Sequence, residues 1–268
     1  MDEKKHHFVL VHGKAGHEVS VFDLKASGIH PAMPDQAVSV ADYSQPLLDL
    51  LDSIAADERV VLVGHSFGGI SIALAADKFP AKVSVAVFLT AFMPRPSIPP
   101  SHTLHNYFFV EKGGVDSEQI SIDEPSKPSI PITVEFDAGL RSHFYNNCSY
   151  VVSSTAWRTW LGSVAEAYVV WWTTPDYTLA TCLVRAAPFY RDELSKHDFV
   201  SEGNYGRTKR AYAVCKDDQA IKESFQRWMI EMSPVDEVVE IEGADHMVML
   251  SKPLELFSHL LKIAESFD

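Results

Sequence analysis

The stretch that decides the fold is Val60-Val61-Leu62-Val63-Gly64-His65-Ser66-Phe67-Gly68-Gly69. Its four leading aliphatic residues form a short continuous apolar run, which is typical of a strand buried on both faces. The alanine-rich, apolar run at residues 70–76 follows and predicts a buried helix. A serine at the sharp turn between a strand and a helix is the context of a nucleophile elbow. We therefore expect Ser66 to be held above the sheet as a nucleophile.

We expect the glycines of this stretch to be required for steric reasons. In so sharp a turn, a side chain at the positions that flank the serine would collide with the neighbouring backbone. We therefore expect neither Gly64 nor Gly68 to leave room for a Cβ atom. The alternative is a glycine-rich turn with an idle serine, which the flanking apolar runs disfavour.

Apolar runs separated by turn residues predict further strands and helices. Short apolar or alternating runs predict strands at residues 7–13, 18–24, 83–89, 209–214 and 238–241. Apolar residues at helical spacing predict helices at residues 39–54, 190–196, 221–232 and 253–267. Ser39 and Asp42 form a capping-box pattern at the start of one helix. Strands that alternate with helices predict a mostly parallel sheet with helices on both faces.

The regular alternation stops after Met93, where prolines become frequent and the apolar periodicity is lost. We interpret residues 96–190 as a cap inserted over the carboxyl edge of the sheet, where open α/β sheets bind ligands. The chain is thus expected to consist of a first core segment, the cap and a second core segment, at residues 1–95, 96–190 and 191–268.

Composition and charge disfavour several classes of function. The 268 residues carry a formal net charge of −13, which argues against a nucleic-acid or anionic-membrane partner. The first residues lack the apolar segment of a secretion signal, and no apolar run is long enough to span a membrane. Cys148, Cys182 and Cys215 are too few for a disulfide framework and fit a reducing compartment, so we expect a cytoplasmic protein. The 12 histidines show no zinc-binding spacing, so no metal is expected.

The candidates for the base and the acid lie late in the chain. A serine hydroxyl is a weak nucleophile and needs a histidine base that is oriented by a carboxylate. After a nucleophile elbow, the acid is expected beyond a late strand and the histidine beyond the next one. Asp217 and Asp218 follow the next-to-last predicted strand, and His246 follows the last one. Asp245 is a weaker candidate, because its side chain would normally point away from that of its neighbour. The spacing predicts Ser66 as nucleophile and His246 as base, and leaves the acid open.

Two N–H donors are expected to hold the oxyanion that forms when Ser66 attacks a carbonyl group. The N–H of Phe67 is the first, because this residue follows the nucleophile. The second usually comes from the loop after the first strand, which nominates the N–H of Lys14. His12 and His65 flank the two turns, and we interpret both as structural residues rather than as additional bases.

Six segments carry a family likeness: residues 7–13 (HFVLVHG), 23–29 (DLKASGI), 63–69 (VGHSFGG), 209–212 (KRAY), 225–228 (FQRW) and 244–253 (ADHMVMLSKP). In these segments the chain resembles the plant methylesterase and hydroxynitrile lyase family of α/β-hydrolases. The resemblance implies an α/β-hydrolase fold with a cap, no cofactor, and Asp218 rather than Asp217 as the acid. It also implies that the partner is a small methyl ester, such as that of salicylate, jasmonate or indole-acetate, which is hydrolysed. The resemblance leaves open whether the protein forms a homodimer.

Two positions bear on the reaction within this family. In the lyases that are similar to this chain, a threonine after the first strand and a lysine after the catalytic histidine hold the cyanohydrin and its leaving cyanide. Here these positions are occupied by Gly13 and Met247, neither of which donates a side-chain hydrogen bond. Both are candidates for the substrate pocket, and they favour an esterase over a hydroxynitrile lyase.

Two segments depart from the family pattern. Residues 12–17 link the first two predicted strands, whereas adjacent parallel strands need a crossover of roughly a dozen or more residues. A link of this length is long enough to close a hairpin, but a hairpin would reverse one strand. Residues 150–174 look inserted and hold four of the five tryptophans. Both departures are also compatible with an alternative splice form, a faulty gene model or a non-catalytic protein that binds a salicylate-type ligand.

Overall fold

The computed structural model describes residues 7–10, 18–21, 23–107 and 190–267. Outside this part of the chain lie most of the predicted cap, residues 108–189, and three residues discussed above, His12, Gly13 and Lys14. The division of the chain into two core segments and a cap therefore stays a prediction.

The described residues form one six-stranded sheet in which every pairing is parallel. The strands run in the order β2-β1-β3-β4-β5-β6. Their bounds are β1 His7–Leu10, β2 Glu18–Val21, β3 Val60–Ser66, β4 Val83–Ala91, β5 Arg210–Cys215 and β6 Glu237–Ile241. The parallel sheet predicted from the alternation of strands and helices is confirmed.

The first two strands are joined by the short link noted above. β1 pairs with β2 in parallel, with His7 opposite Glu18 and Leu10 opposite Val21, so the short link does not form the hairpin that its length alone would allow. Within the described residues, each of the two strands has 4 residues. The chain has to return by roughly 10 Å along the sheet and step aside by about 4.8 Å. Residues 11–17 can reach more than about 20 Å, so a short link is long enough between strands this short.

Helices follow most of the strands. Their bounds are α1 Val40–Tyr43, α2 Gln45–Ser53, α3 Gly68–Lys78, α4 Pro100–His105, α5 Arg191–Leu194, α6 Glu223–Met232, α7 Val248–Ser251 and α8 Pro253–Ser266. The helix predicted at residues 39–54 is divided at Ser44. Its start is as predicted, because the Ser39 hydroxyl accepts a hydrogen bond from the Asp42 N–H at 2.9 Å. In the described ranges, no helix combines the length and apolarity that a membrane crossing needs.

The core lies on both faces of the sheet, because successive strand residues point to opposite sides. In β3, Val60 and Leu62 belong to one cluster of buried residues, and Val61 and Val63 belong to the other. Helices α2, α3 and α6 cover the first face, and α8 covers the second. Each large aliphatic side chain buried in this way contributes roughly 1.5–3 kcal/mol. The two layers hold the carboxyl ends of β3, β4, β5 and β6 at one edge.

Candidate active site

The turn between β3 and α3 is strained at Ser66. The φ angle of this residue is +55°, a left-handed conformation that costs a non-glycine residue about 1–3 kcal/mol. Its side chain is half-buried, and its carbonyl oxygen accepts a hydrogen bond from the N–H of Phe92 at 3.0 Å. A Cβ atom at Gly64 would lie 2.8 Å from the carbonyl oxygen of Gly68, so this glycine is required as predicted. The geometry is that of a nucleophile elbow.

The prediction that Gly68 is required by space is wrong. A Cβ atom there would have no described heavy atom within 4 Å beyond its immediate neighbours. The close approach occurs one residue later, where a Cβ atom at Gly69 would lie 2.2 Å from the carbonyl oxygen of Phe92. The reason is that the first turn of α3 packs with Gly69 against the backbone that leaves β4.

His246 and Asp218 form a buried hydrogen-bonded pair. Asp218 follows β5 and His246 follows the neighbouring strand β6, so both come from the same edge of the sheet. The distance from His246 Nδ1 to Asp218 Oδ2 is 2.7 Å, and both side chains are at most 2% exposed. The other carboxylate oxygen, Oδ1, accepts hydrogen bonds from the N–H groups of Ala220 at 2.7 Å and Ile221 at 2.9 Å. The carboxylate is thereby oriented through both of its oxygens.

The environment of Asp218 favours its charged form. Burial alone would raise the pKa of this carboxyl. The charge and hydrogen bond of His246, the hydroxyl of Thr90 and the N–H of Ile221 outweigh burial and hold the pKa of Asp218 below its ordinary value. The group is therefore ionised at neutral pH and accepts the Nδ1 proton of the imidazole, which leaves Nε2 as the nitrogen available for a base.

The two rival carboxylates are placed differently. Asp217 is exposed, and its N–H donates to the carbonyl oxygen of Ala244 at 3.0 Å. Asp245 is buried, but its Oδ1 accepts a hydrogen bond from the hydroxyl of Ser251 at 2.7 Å. Among the three candidates, Asp218 is the one that the structure pairs with the Nδ1 atom of His246.

The other predicted site residues are described in part. Phe67 is half-buried at the start of α3, and Met247 follows His246 and precedes α7. Gly13 and Lys14 lie outside the described residues. His65 is a structural residue as expected, since its Nε2 lies 2.7 Å from the carbonyl oxygen of His246.

Two polar residues at this edge of the sheet were not predicted from the sequence. Thr90 is fully buried at the end of β4, and its Oγ1 donates to Asp218 Oδ2 at 2.5 Å. Gln226 is fully buried in α6 and bonds the N–H and carbonyl groups of Cys215 at 3.0 and 2.9 Å. It also donates to the carbonyl oxygen of Ile221 at 2.7 Å, which fixes the loop that carries Asp218. For Thr90 the available signal was an uncharged polar residue inside an otherwise apolar run, whereas Gln226 lies in a helix of mixed polar and apolar residues that gave no such signal.

Comparison with known proteins gives the same fold. A profile of the alpha/beta hydrolase family matches residues 6–259. The chain is 40% identical to alpha-hydroxynitrile lyase of Arabidopsis thaliana, over 99% of each protein. It is 36% identical to methyl jasmonate esterase 1 of Vitis vinifera, over 100% of each protein.

A solved structure extends this likeness to three dimensions. The crystal structure of polyneuridine aldehyde esterase matches with a TM-score of 0.77 and 32% identity, and the match covers 97% of this chain and 100% of that chain. The α/β-hydrolase fold and the family resemblance expected from the six segments are thus confirmed. The chain belongs to the alpha/beta hydrolase family, in the group that includes the plant methylesterases and alpha-hydroxynitrile lyase.

Proposed function

We propose that the protein is a serine carboxylesterase that hydrolyses small methyl esters. The observation that carries this proposal is the buried Asp218–His246 pair at the edge of the sheet where β3 ends in the strained Ser66. A nucleophile, a base and an acid that orients the base are the components that ester hydrolysis requires. His65, directly before the nucleophile, is bonded to the backbone of His246, which supports the proximity of the two loops.

In the proposed mechanism, the hydroxyl oxygen of Ser66 attacks the ester carbonyl carbon while His246 Nε2 accepts the hydroxyl proton. The ionised Asp218 stabilises the resulting imidazolium. The tetrahedral intermediate collapses to an acyl-serine, and its C–O bond to the methoxy group breaks as the imidazolium returns the proton to form methanol. Water then attacks the acyl-serine, again with His246 as base, which releases the carboxylic acid and restores Ser66.

The developing oxyanion needs two donors. The N–H of Phe67 is the first proposed donor, because it follows the nucleophile at the N-terminal end of α3. The N–H of Lys14 is the second, by its position after the first strand. Each donor of this kind typically contributes about 10²–10³-fold to the rate in an acyl-transfer enzyme.

The proposed substrates are methyl esters of small, largely apolar acids of the salicylate, jasmonate and indole-acetate class. Similarity to a methyl jasmonate esterase over the whole chain supports this class. Gly13 and Met247 support it as well, since neither residue supplies a side-chain donor to a cyanohydrin. No cofactor takes part in the proposed reaction.

Hydroxynitrile lyase activity is the second candidate. It is supported by the 40% identity to alpha-hydroxynitrile lyase. In that reaction, the same histidine would remove the hydroxyl proton of a cyanohydrin, and cyanide would leave. A positive charge near the departing cyanide would help, and Met247 does not supply one.

Ester hydrolysis and cyanohydrin cleavage can be distinguished by their products. Purified protein would be assayed for acid and methanol from methyl salicylate, methyl jasmonate and methyl indole-acetate, and for cyanide from mandelonitrile. Ser66→Ala is the test variant, and Ser53→Ala, at an exposed serine of α2, is the matched control. We expect ester hydrolysis that Ser66→Ala abolishes and Ser53→Ala leaves intact. Cyanide release without ester hydrolysis would favour the lyase, and tight salicylate binding without either reaction would favour a non-catalytic binding protein.

A further inference from the structure

Thr90 occupies an irregular position in the sheet next to the elbow. β4 pairs Leu89 with His65 and Ala91 with Ser66, so Thr90 is an extra residue between two consecutive pairs. Such a bulge changes the direction in which a strand residue points, and bulges are frequent next to active sites. The bulge lies opposite the step from His65 to Ser66, where the nucleophile leaves the strand.

The backbone of Thr90 is strained. Its φ angle is +37°, which is a genuine outlier for a β-branched residue. Strain of this kind persists only where the surrounding structure enforces it, and it is concentrated at functional sites. Ser66, its neighbour across the bulge, is strained in the same sense, with a φ angle of +55°.

The strained position brings the hydroxyl of Thr90 to Asp218. Its Oγ1 donates to Oδ2, the same oxygen that accepts the hydrogen bond of His246 Nδ1. An ionised carboxylate only accepts, so the threonine is necessarily the donor. The N–H groups of Ala220 and Ile221 donate to the other oxygen, Oδ1. The carboxylate thus receives four hydrogen bonds, which come from β4, from the loop after β5 and from the loop after β6.

We propose that Thr90 is a positioning residue of the catalytic pair, held by the bulge so that its hydroxyl fixes the carboxylate of Asp218 toward His246. This inference rests on the proposed esterase function and adds a residue that the sequence pattern did not indicate. The hydroxyl shares Oδ2 with the imidazole of His246. Without that hydroxyl, the carboxylate is held by fewer hydrogen bonds and orients the imidazole less well.

Other titratable groups face this pair. Tyr212 and Cys215 of β5 interact electrostatically with Asp218, and burial raises the pKa of both groups well above their ordinary values, so they are neutral near pH 7. The ring of His65 lies 4.6 Å from that of His246, measured between centroids, and Asp245 adjoins His246 in sequence. These groups are the same in the variants that follow, so a difference among the variants reports on Thr90.

The main test compares Thr90→Val, Thr90→Ser and Thr208→Val. Valine keeps the branched shape and removes the donor, whereas serine keeps the donor. Thr208 is the matched control, because it is also buried, lies before β5 at the opposite edge of the sheet, and donates to the carbonyl oxygen of Asn204 at 3.2 Å. Thr90→Gly is the second test variant should valine prevent folding, because glycine adopts a positive φ angle freely.

Two measurements would be made on each variant. The first is the pH profile of kcat/KM for the best methyl ester. The second is the proton NMR resonance of the hydrogen bond between His246 Nδ1 and Asp218, which is observed without turnover. We expect Thr90→Val to lower kcat/KM by roughly tenfold, mainly through kcat, because it removes a charge-assisted hydrogen bond. We also expect its acidic limb and its resonance to differ from those of the wild type, with Thr90→Ser close to the wild type.

The result that would overturn the inference is a Thr90→Val protein that matches Thr208→Val in rate, acidic limb and resonance. A Thr90→Ser variant as impaired as Thr90→Val would also overturn it, because the donor would then be irrelevant. Failure of the proposed esterase function would give a different result from failure of the Thr90 inference. The wild type would then show no ester hydrolysis that depends on Ser66, and the resonance would still decide whether Thr90 acts on Asp218.

Discussion

The side chain of His65 is bonded to the backbone of His246. Its Nε2 lies 2.7 Å from the carbonyl oxygen of His246, and the centroids of the two rings are 4.6 Å apart. A carbonyl oxygen only accepts, so Nε2 of His65 carries a proton. The residue before the proposed nucleophile thus fastens the loop of the proposed base to the end of β3.

We expect His65→Ala to lower kcat by about three- to tenfold with a smaller effect on KM, because it removes one hydrogen bond that orients His246. His65→Gln retains an N–H donor and should recover part of the rate. His197→Ala, at an exposed histidine, is the control. Steady-state kinetics on a methyl ester check this, and equal rates for His65→Ala and His197→Ala would show that the contact does not position the base.

Adjacent glycines of the elbow should differ sharply in their tolerance of a side chain. Gly69→Ala would force a Cβ atom to within 2.2 Å of the Phe92 carbonyl oxygen, and we expect a loss of about 1–3 kcal/mol in the free energy of unfolding. Gly68→Ala meets no described heavy atom within 4 Å beyond its immediate neighbours and should be neutral or stabilise by up to roughly 1 kcal/mol. Urea unfolding of the two variants checks this. Similar losses for both would contradict the packing of α3 on the end of β4.

Asp218→Asn should reduce kcat/KM by several orders of magnitude, about 10⁴-fold in the best-studied serine hydrolase triad, because the amide does not hold the imidazole in the required tautomer. Asp217→Asn is the control, since Asp217 is exposed. Kinetics at neutral pH check this. A comparable loss in Asp217→Asn with an unimpaired Asp218→Asn would assign the acid to the other aspartate.

The same carboxyl should make stability depend on pH. The pKa of Asp218 is lower in the folded protein than its ordinary value of 3.8, so its contribution to stability is present above that value and is lost as pH falls through the folded pKa. We expect the free energy of unfolding of the wild type to fall more steeply below pH 4 than that of Asp218→Asn. Urea unfolding from pH 7 to pH 3 measures both slopes, and parallel slopes would be evidence against the lowered pKa.

The thiol of Cys215 should be unreactive in the folded protein. It is fully buried, and burial together with the charges of Asp218 and Asp245 raises its pKa well above the ordinary value. Treatment with iodoacetamide at pH 8, followed by peptide mass analysis, should leave Cys215 unmodified in native protein and modify it fully in urea. Rapid native modification would mean that the carboxyl end of β5 opens readily.

Much of the core could be predicted from sequence because its signals are local. The apolar run before Ser66 and the helix after it lie where the pattern indicates, and α8 begins at Pro253 as predicted. Whether β1 and β2 pair in parallel across so short a link could not be decided from the sequence, because the length of the link alone also allows a hairpin. The division of the first helix at Ser44 was missed too, although Pro46 lies in the first turn of α2.

The candidate site could be predicted only where the order of residues along the chain determines their positions in the fold. Serine, aspartate and histidine after successive strands indicated Ser66, Asp218 and His246, because the carboxyl ends of parallel strands meet at one edge. Thr90 and Gly69 depend on contacts between elements that are distant in sequence. A bulge in β4 and the close approach of α3 to Phe92 leave no local pattern.

The most direct test of the proposed function is to trap the acyl group on Ser66. The protein would be mixed with p-nitrophenyl acetate, quenched in acid within the first turnovers, digested and examined by mass spectrometry, with Ser66→Ala treated in parallel. We expect one acetyl group on the peptide that contains Ser66 and none on that peptide in the variant. Equal hydrolysis by Ser66→Ala, or an acetyl group that accumulates on a different residue while Ser66 stays unmodified, would contradict a serine esterase mechanism at this elbow.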